Sequence, residues 1–277
     1  MHSRIKQRLC LAQEDVVRRV TGSGLPEARV WWWRDIPNFG DLLSPALVQR
    51  HLLLRPTFSN EPGRGRLLAI GSIARRARPN DLVFGSGLMR EVEFVATGVK
   101  FLAVRGPLTR NLIRDADVPA VYGDPAILLP RFYRPRRIQR AAVGIIPHYS
   151  DQDIMRRDDP QIRNIDVTSR NWKKTVDKIT SCDVVLSSSL HGIVVAEAYG
   201  VPAVWVRASD RVRGDGFKFR DYYASANRDT EPQEWSTGLA ALLSSAAPAP
   251  LPDADQLAVS ALKVRQAIED LADAAQR

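Results

Sequence analysis

The sequence predicts an α/β protein whose two halves each build a parallel sheet, with an anion-binding cleft between them. Short apolar runs, each long enough for one buried strand, end in Gly, Ser, Asn, Asp or Arg, and most lead toward a helical pattern. The same pattern starts again after the basic segment at 130–140. Since parallel strands end at one edge of a sheet, the polar residues after these runs are expected to share that edge.

Four segments follow from this pattern. We expect an N-terminal domain over 1–130, a basic linker over 131–140, a C-terminal domain over 141–245, and a tether with a terminal helix over 246–277. The linker PRFYRPRRIQR breaks the strand and helix patterns with prolines and arginines. A basic, aromatic segment can also bind nucleic acid, but no RNA- or DNA-binding motif accompanies it, so we expect no nucleic-acid partner.

Composition narrows the class of partner and the compartment. The net charge of +9 over 277 residues suits an anionic substrate, an anionic membrane surface or nucleic acid, and charge alone does not choose among them. The two cysteines, Cys10 and Cys182, provide no disulfide framework. The N-terminus lacks a signal-peptide core, and no apolar run is long enough to cross a bilayer. We therefore expect a cytoplasmic protein, and peripheral association with the inner face of the membrane stays open.

The first half begins with an amphipathic pattern over 4–20, for which docking on the domain is favoured over lipid binding. The apolar runs expected to form strands are 30–33, 67–70, 82–84, 101–104 and 118–122. Helices are expected from Asp41 onward and after Pro107. The elbow at Asn38, Gly40 and Asp41 is either an ordinary helix cap or part of a ligand edge, and spacing alone leaves both readings open.

The second half is organised around DVVLSSSLHGIVVAEAYGVPAVWVR, residues 183–207. It predicts a strand, a polar turn, a helix that stops at Gly200, and a second strand. Further strands are expected at 142–147 and 164–167, with a helix at 171–179. A Gly-rich charged loop opens the segment 211–225, and the apolar stripe at 257–271 predicts a terminal amphipathic helix.

Three kinds of side chain at strand ends favour anion chemistry. His148 and His191 directly follow apolar runs, and an imidazole can deliver a proton near neutral pH. The serines Ser187, Ser188 and Ser189 lack a G-x-S-x-G elbow, so they are interpreted as helix caps and anion ligands. Arg105 could bind phosphate or carboxylate, or form a surface ion pair. No zinc-ligand spacing occurs, and we predict no metal site.

An ordered set of motifs resembles the polysaccharide pyruvyl transferase family, and within it the bacterial exopolysaccharide ketal-pyruvate transferases of the succinoglycan type. The motifs are NFGDLLSPALV (38–48), GSGL (85–88), AVRGPLTR (103–110), YGDPAILLP (122–130), IPHYSD (146–151), SSSLHGIVVAEAYGVPAVWV (187–206) and DGFKFRDYYAS (215–225). The resemblance implies two Rossmann-like domains in a GT-B-like arrangement, with the active site in the interdomain cleft. It also implies transfer of pyruvate from phosphoenolpyruvate to two hydroxyls of one sugar, forming a cyclic ketal. The acceptor is then a lipid-linked oligosaccharide or polysaccharide, and no cofactor is expected.

The resemblance also implies roles for individual residues. It places Arg105 and His191 at positions associated with binding phosphoenolpyruvate, and His148 in a second motif of the cleft. In the SSSLHG motif, which includes Gly192, Ser189 stands where many members carry arginine. The missing cation is then expected from another basic residue, or from the helix terminus and the serines. The candidates for that cation are Lys218, Arg220 and Arg207.

Ketal formation requires both an acid and a base. Protonated His191 is the candidate acid for the methylene carbon of phosphoenolpyruvate. Asp41 or Asp124 is the candidate base for the sugar hydroxyl, because both follow strands. Two alternatives remain: a GT-B-like glycosyltransferase that uses a nucleotide sugar, and a catalytically silent scaffold subunit of polysaccharide assembly.

Overall fold

The structure, a computed structural model, describes residues 24–92 and 94–276. Within them the chain forms two five-stranded parallel sheets with helices in most of the connections. This confirms the predicted α/β class with two Rossmann-like halves, while the GT-B-like arrangement stays a prediction. The expected helix at 4–20 and Cys10 lie outside the described residues. No helix among the described residues is long and apolar enough to span a bilayer.

The first sheet has the strand order β2-β1-β3-β4-β5. Its strands are β1 (Glu27–Trp31), β2 (Arg55–Phe58), β3 (Leu67–Leu68), β4 (Leu82–Phe84) and β5 (Lys100–Ala103). Helices α1 (Leu43–Arg50) and α2 (Pro107–Leu112) and the 3₁₀ helices Ala74–Arg76 and Pro125–Arg131 belong to the same half. β3 and β4 are buried at every position, as expected for strands that are covered on both faces.

The second sheet has the strand order β10-β9-β8-β6-β7. Its strands are β6 (Ala141–Ile146), β7 (Ile162–Asn164), β8 (Cys182–Ser187), β9 (Ala203–Arg207) and β10 (Gln233–Glu234). The helices of this half are α3 (Gln152–Met155), α4 (Trp172–Thr180), α5 (Leu190–Ala198), α6 (Phe217–Ala224) and α7 (Leu239–Ser244), with the 3₁₀ helix Trp235–Thr237. α5 is apolar on nearly all sides and buried from Leu190 to Glu197, so it is a core helix.

The two sheets share one topology. Numbered within its own half, each sheet reads 2-1-3-4-5, a common order of doubly wound α/β folds. In such a sheet the connections leave in opposite directions from the first and third strands, and this opens a crevice at their carboxyl ends. The crevice therefore lies after β1 and β3 in the first half, and after β6 and β8 in the second.

The terminal helix α8 (Ala254–Gln276) returns to the first half. Leu257 and Val264 on α8 are fully buried, and Ser260 Oγ donates a hydrogen bond of 2.5 Å to the Leu102 carbonyl of β5. The predicted amphipathic stripe at 257–271 thus packs against the first sheet, and the Ser260–Leu102 contact spans 158 positions of sequence. A hydrogen bond of 2.8 Å from Phe39 N–H to the Val167 carbonyl also joins the halves.

Several strand expectations differ from the structure: β1 begins before the predicted run 30–33 and ends at Trp31, and the short edge strand β10 was not predicted. β2 was not predicted, because it is an edge strand that contains Pro56 and alternates exposed with half-buried residues. The run 118–122 forms only an isolated bridge between Tyr122 and Val104, consistent with Pro119, which lacks an N–H for a ladder. β7 ends at Asn164, where the expected strand began, because the buried Ile165 and Val167 lie beyond the ladder.

Candidate active site

A cavity of about 500 Å³, here called the catalytic cavity, lies where the crevices of the two sheets meet. Asn38 and Asp41 reach it from the connection after β1, and Ser72 from the connection after β3. His148 follows β6, and Ser189 and His191 follow β8. Lys218 of α6 also lines it. The structure thus brings six of the predicted site residues to one cavity: Asn38, Asp41, His148, Ser189, His191 and Lys218.

His191 lies at the start of α5 beside a buried carboxylate. Its Nε2 lies 3.5 Å from Oδ2 of Asp124, and neither atom forms a hydrogen bond with any residue that the structure describes. Asp124 is fully buried and does not line the catalytic cavity, while its Oδ1 accepts a 3.0 Å hydrogen bond from Ala126 N–H. Asp124 is therefore placed to orient the imidazole and not to reach a sugar. The prediction of Asp124 as a base for the sugar finds no support in this geometry.

Gly40 makes room for the His191 ring. An added Cβ at residue 40 would lie 1.9 Å from His191 Nδ1, so any side chain at this position must displace the imidazole. Asn38 shapes the same turn, because its Oδ1 accepts a 2.9 Å hydrogen bond from Gly40 N–H. Gly40 and Asn38 are thus part of the support for His191, and Asn38 also lines the cavity.

Asp41 carries a carboxyl group suited to proton transfer. Burial raises its pKa from 3.8 to about 7, while His191 and Lys218 lower the pKa and Asp124 raises it. At neutral pH this carboxyl is therefore present in comparable amounts as acid and as carboxylate, which suits a group that accepts and returns a proton. Of the two predicted bases, Asp41 is the one that lines the cavity.

Lys218 supplies a cation to the cavity. Its side chain is buried, and it forms no hydrogen bond with the residues that the structure describes. Burial lowers the Lys218 pKa to about 8, and Arg105 lowers it as well, while Asp41 and Asp151 raise it. Since this pKa is still above 7, the amine is mostly charged at neutral pH, and its hydrogen-bonding capacity is available to a ligand.

His148 is set up as a neutral hydrogen-bond donor. Burial and the charge of Lys218 together lower its pKa to about 3, and burial has the larger effect. The Nδ1 atom accepts a 3.3 Å hydrogen bond from Ser150 N–H and lies 2.7 Å from Ser150 Oγ. We assign the ring proton to Nε2 on the basis of this network. Nε2–H then remains as the donor of a ring that lines the cavity.

The three serines have different roles. Ser187 Oγ donates to the Ile146 carbonyl at 2.8 Å and accepts from Ser189 N–H at 3.0 Å, which ties β8 to β6. Ser188 Oγ accepts a 2.9 Å hydrogen bond from His148 N–H. Among the three, only Ser189 lines the catalytic cavity. The predicted anion-binding role therefore fits Ser189, whereas the hydroxyls of Ser187 and Ser188 already bond to the protein.

Gly192 is required by the same packing. An added Cβ at residue 192 would lie 2.5 Å from Ser187 Oγ and 2.9 Å from the Ile146 side chain. The glycine thus lets α5 approach the ends of β6 and β8 closely. Gly192 supports the turn and is not part of the cavity wall.

Arg105, the predicted anion ligand, forms its hydrogen bonds with other residues of the protein. Its guanidinium is fully buried and donates to Asp221 Oδ2 at 2.9 Å, Ser72 Oγ at 2.7 Å and the Leu88 carbonyl at 2.6 Å. Asp221 also accepts from the backbone N–H of Thr109 at 2.8 Å. Because Asp221 lies one helical turn after Lys218 on α6, this ion pair joins the first half to the helix that carries Lys218. Arg105 does not line the cavity, and its direct contact with a substrate finds no support here.

The other two proposed cations lie away from the catalytic cavity. Arg220 pairs with Glu231 at 3.2 Å and also donates to the Asp215 carbonyl. Arg207 donates to Glu234 at 2.7 Å and is exposed. Of the three basic residues proposed to replace the cation missing at Ser189, only Lys218 lines the catalytic cavity.

Several arginines of the cavity wall were not predicted. They are Arg75, Arg76, Arg90 and Arg213. Arg213 lies in the charged loop that the sequence singled out, but the other three follow β3 and β4 in segments without periodicity or motif. Their strand-end positions were the only available signal. Among the described residues there is no group of three or more His, Cys, Asp or Glu that could hold a metal ion.

Comparison with known proteins gives a family match. The family model described as polysaccharide pyruvyl transferase matches residues 63–210, which is more than half of the chain. That range contains Arg105, Asp124, His148 and His191.

Two relatives and one solved structure are also similar. An uncharacterized protein of Acanthamoeba polyphaga mimivirus is 33% identical over 166 residues, which are 55% of this chain and 57% of that protein. The succinoglycan biosynthesis protein ExoV of Rhizobium meliloti (strain 1021) is 27% identical over 211 residues, which are 69% of this chain and 62% of ExoV. The chain thus spans less than two thirds of either relative. The crystal structure of an uncharacterized Klebsiella pneumoniae protein superposes with a TM-score of 0.40 at 12% identity, covering 83% of this chain and 97% of that one.

Proposed function

We propose that this chain, which belongs to the polysaccharide pyruvyl transferase family, moves pyruvate from phosphoenolpyruvate onto two hydroxyls of one sugar. The product is a cyclic ketal on a cell-surface polysaccharide precursor, with phosphate released. The acceptor is a lipid-linked oligosaccharide or a polysaccharide. The observation that carries the proposal is that an acid, a base and a cation, His191, Asp41 and Lys218, line one cavity at the crevices of both sheets.

Donor binding is assigned to Lys218, His148 and Ser189. The buried ammonium of Lys218 offers a charge to the carboxylate or phosphate of phosphoenolpyruvate, and a buried site strengthens that attraction. The neutral His148 ring and the Ser189 hydroxyl add hydrogen bonds without a further charge. Lys218 then takes the place of the arginine that many family members carry at the position of Ser189.

Proton addition is assigned to His191. Its Nε2 is buried against Asp124, so Nδ1 is the nitrogen left to exchange a proton with a substrate. The Asp124 carboxylate lies against that nitrogen and orients the ring, as an acidic partner does for many catalytic histidines. In the first step the imidazolium donates its proton to the methylene carbon of phosphoenolpyruvate, while a sugar oxygen bonds to the neighbouring carbon.

Proton removal is assigned to Asp41. Its carboxylate takes the proton from the attacking hydroxyl, and a pKa near 7 suits both the uptake and the later release of that proton. The second hydroxyl then displaces phosphate from the same carbon and closes the ring. Two hydroxyl protons are lost in total: one balances the proton gained by the methyl carbon, and the other leaves with hydrogen phosphate.

Phosphate release from phosphoenolpyruvate tests this proposal. The purified protein is assayed with and without an extract of lipid-linked oligosaccharides, as wild type, as His191→Ala and as Asp41→Asn. We expect acceptor-dependent release that falls by about 100-fold or more in each variant, the usual cost of losing a general acid or base.

A matched control separates the loss of a catalytic carboxylate from the change in the net charge of the protein. Asp115 is exposed, and Asp115→Asn makes the same change of charge outside the cavity, so its rate should equal that of the wild type. Release that persists in both cavity variants would refute the assigned roles. No release with any extract, combined with saturable binding of a nucleotide sugar, would favour a glycosyltransferase instead.

A further inference from the structure

A second cavity of about 440 Å³ adjoins the catalytic cavity at the carboxyl edge of the second sheet. We call it the arginine-lined cavity. Ser188 after β8, Arg207 at the end of β9 and Arg220 on α6 line it. Arg90 and Arg213 line both cavities and therefore mark the boundary between them. None of the steps assigned above uses this space.

The charges in the arginine-lined cavity are unevenly compensated. Arg207 pairs with Glu234, and Arg220 pairs with Glu231. Glu234 raises the pKa of Arg207, and the wall carboxylates Asp210 and Asp215 raise it as well.

Arg90 and Arg213 differ from this pair. Both are exposed, and neither forms a hydrogen bond or an ion pair with any residue that the structure describes. The uncompensated positive charge therefore lies at the boundary between the two cavities.

The two free arginines come from opposite halves and are brought together by a tight loop contact. An added Cβ at Gly214 would lie only 2.3 Å from the Met89 carbonyl oxygen, so the loops that carry Arg90 and Arg213 touch. Gly214 also has a φ of +98°, which side chains rarely adopt. The close contact thus depends on glycine, and it joins the two loops whose arginines line both cavities.

We infer that the arginine-lined cavity binds the phosphate or diphosphate through which the acceptor sugar is attached to its carrier. Guanidinium groups match phosphate oxygens in two-pronged geometry, and Arg90 and Arg213 have their donors available. An anion held there would let the attached sugar extend past the boundary toward Asp41 and His191. This inference rests on the proposed function, since it names the part of the acceptor that the same site must hold.

Calorimetric titration with inorganic pyrophosphate tests the site without turnover. We expect saturable binding to the wild type, and binding at least about tenfold weaker in Arg90→Gln and in Arg213→Gln, the loss expected for one charged hydrogen bond. Arg137 is an exposed linker arginine, and Arg137→Gln is the matched control that should bind as the wild type does. Equal weakening in all three variants, or no binding to the wild type, would overturn the inference.

Inhibition kinetics assign the site to the acceptor or to the donor. Pyrophosphate should compete with the acceptor extract and not with phosphoenolpyruvate; competition with phosphoenolpyruvate instead would place both arginines in the donor site and contradict the inference. Farnesyl diphosphate and uridine diphosphate separate a lipid carrier from a nucleoside carrier, and either one supports the inference if its binding depends on Arg213. If no extract supports phosphate release while pyrophosphate binding still depends on Arg90 and Arg213, the proposed function fails and the anion site stands.

Discussion

Replacing Arg105 with methionine should destabilise the fold and leave donor binding to the folded protein nearly unchanged. The guanidinium is fully buried and serves three acceptors, among them the fully buried Asp221. Removing one partner of such a buried pair leaves a desolvated charge and costs about 3–5 kcal/mol. Domains are typically stable by only about 5–15 kcal/mol, so the loss is a large part of the total.

Urea denaturation of Arg105→Met, Asp221→Asn and the double variant measures this coupling. Because Asp221 also accepts hydrogen bonds from Thr109, the single Asp221 variant should be destabilised as well. The double variant should lose about 2 kcal/mol less than the sum of the single losses, since its members share one buried interaction. Additive losses would mean that the two side chains are not coupled.

A second measurement separates this role from donor binding. For Arg105→Met, the KM for phosphoenolpyruvate is measured in the absence of denaturant, where the variant is folded. We predict a KM within about threefold of the wild type, because a guanidinium that does not line the catalytic cavity makes no uniform contribution to substrate binding there. Wild-type stability combined with a KM raised tenfold or more would refute it and return Arg105 to the donor site.

Three further predictions concern the catalytic cavity. Gly40→Ala should lower kcat by about 100-fold or more, because the added methyl group displaces the His191 ring from its position beside Asp124. Asp41→Asn should abolish the decline in kcat that the wild type shows as the pH falls through about 7, and a pH profile of both proteins measures this. Lys218→Met should raise the KM for phosphoenolpyruvate at least about tenfold, whereas Lys218→Arg should recover part of the affinity because it keeps the charge.

The raised pKa of Asp41 also predicts how the free energy of unfolding changes with pH. Its pKa is about 7 in the folded protein and 3.8 in the unfolded chain, so the folded state binds the proton more tightly. The wild type therefore loses stability as the pH rises from about 4 to 7, by up to about 4 kcal/mol, and Asp41→Asn escapes that loss. Urea denaturation should find the variant more stable than the wild type at pH 8, with the difference shrinking toward pH 4.

Controls accompany the cavity variants. Lys174 is an exposed lysine of α4, and Lys174→Met should leave the KM unchanged. Gly40→Ala should keep a cooperative unfolding transition, so that lost activity reports the His191 position and not loss of the fold. A Gly40→Ala protein with wild-type kcat would show that the ring position beside Gly40 is not needed.

The fold and part of the site could be read from local sequence. Apolar runs that end in polar residues identify parallel strands, and the carboxyl edge then collects Asp41, His148 and His191 at one place. That reasoning works because the signal lies within a few residues of each strand. It fails for Arg105, whose partner Asp221 lies 116 positions away and decides that the guanidinium is structural.

Other features could not be predicted from the sequence because they depend on packing between residues that are far apart in the chain. Asp124 resembles Asp41 in sequence, since both follow strands, and only the fold places one behind His191 and the other in the cavity. The terminal helix was predicted from its stripe, but its place on β5 depends on Leu102 and Ser260, which local patterns do not connect. The sequence offers Lys218, Arg207 and Arg220 equally as the cation of the site. Only the fold shows that Lys218 is buried and lines the catalytic cavity.

A donor labelled with ¹³C shows whether this chain carries out the proposed formation of a ketal from phosphoenolpyruvate and a sugar. Phosphoenolpyruvate carrying ¹³C at its second carbon is incubated with the protein and the acceptor extract, and the glycan is examined by NMR. We predict that the label appears as a ketal carbon of the glycan, in equal amount to the phosphate released, and that His191→Ala yields none. Label that stays in phosphoenolpyruvate or appears only as free pyruvate would contradict the proposal.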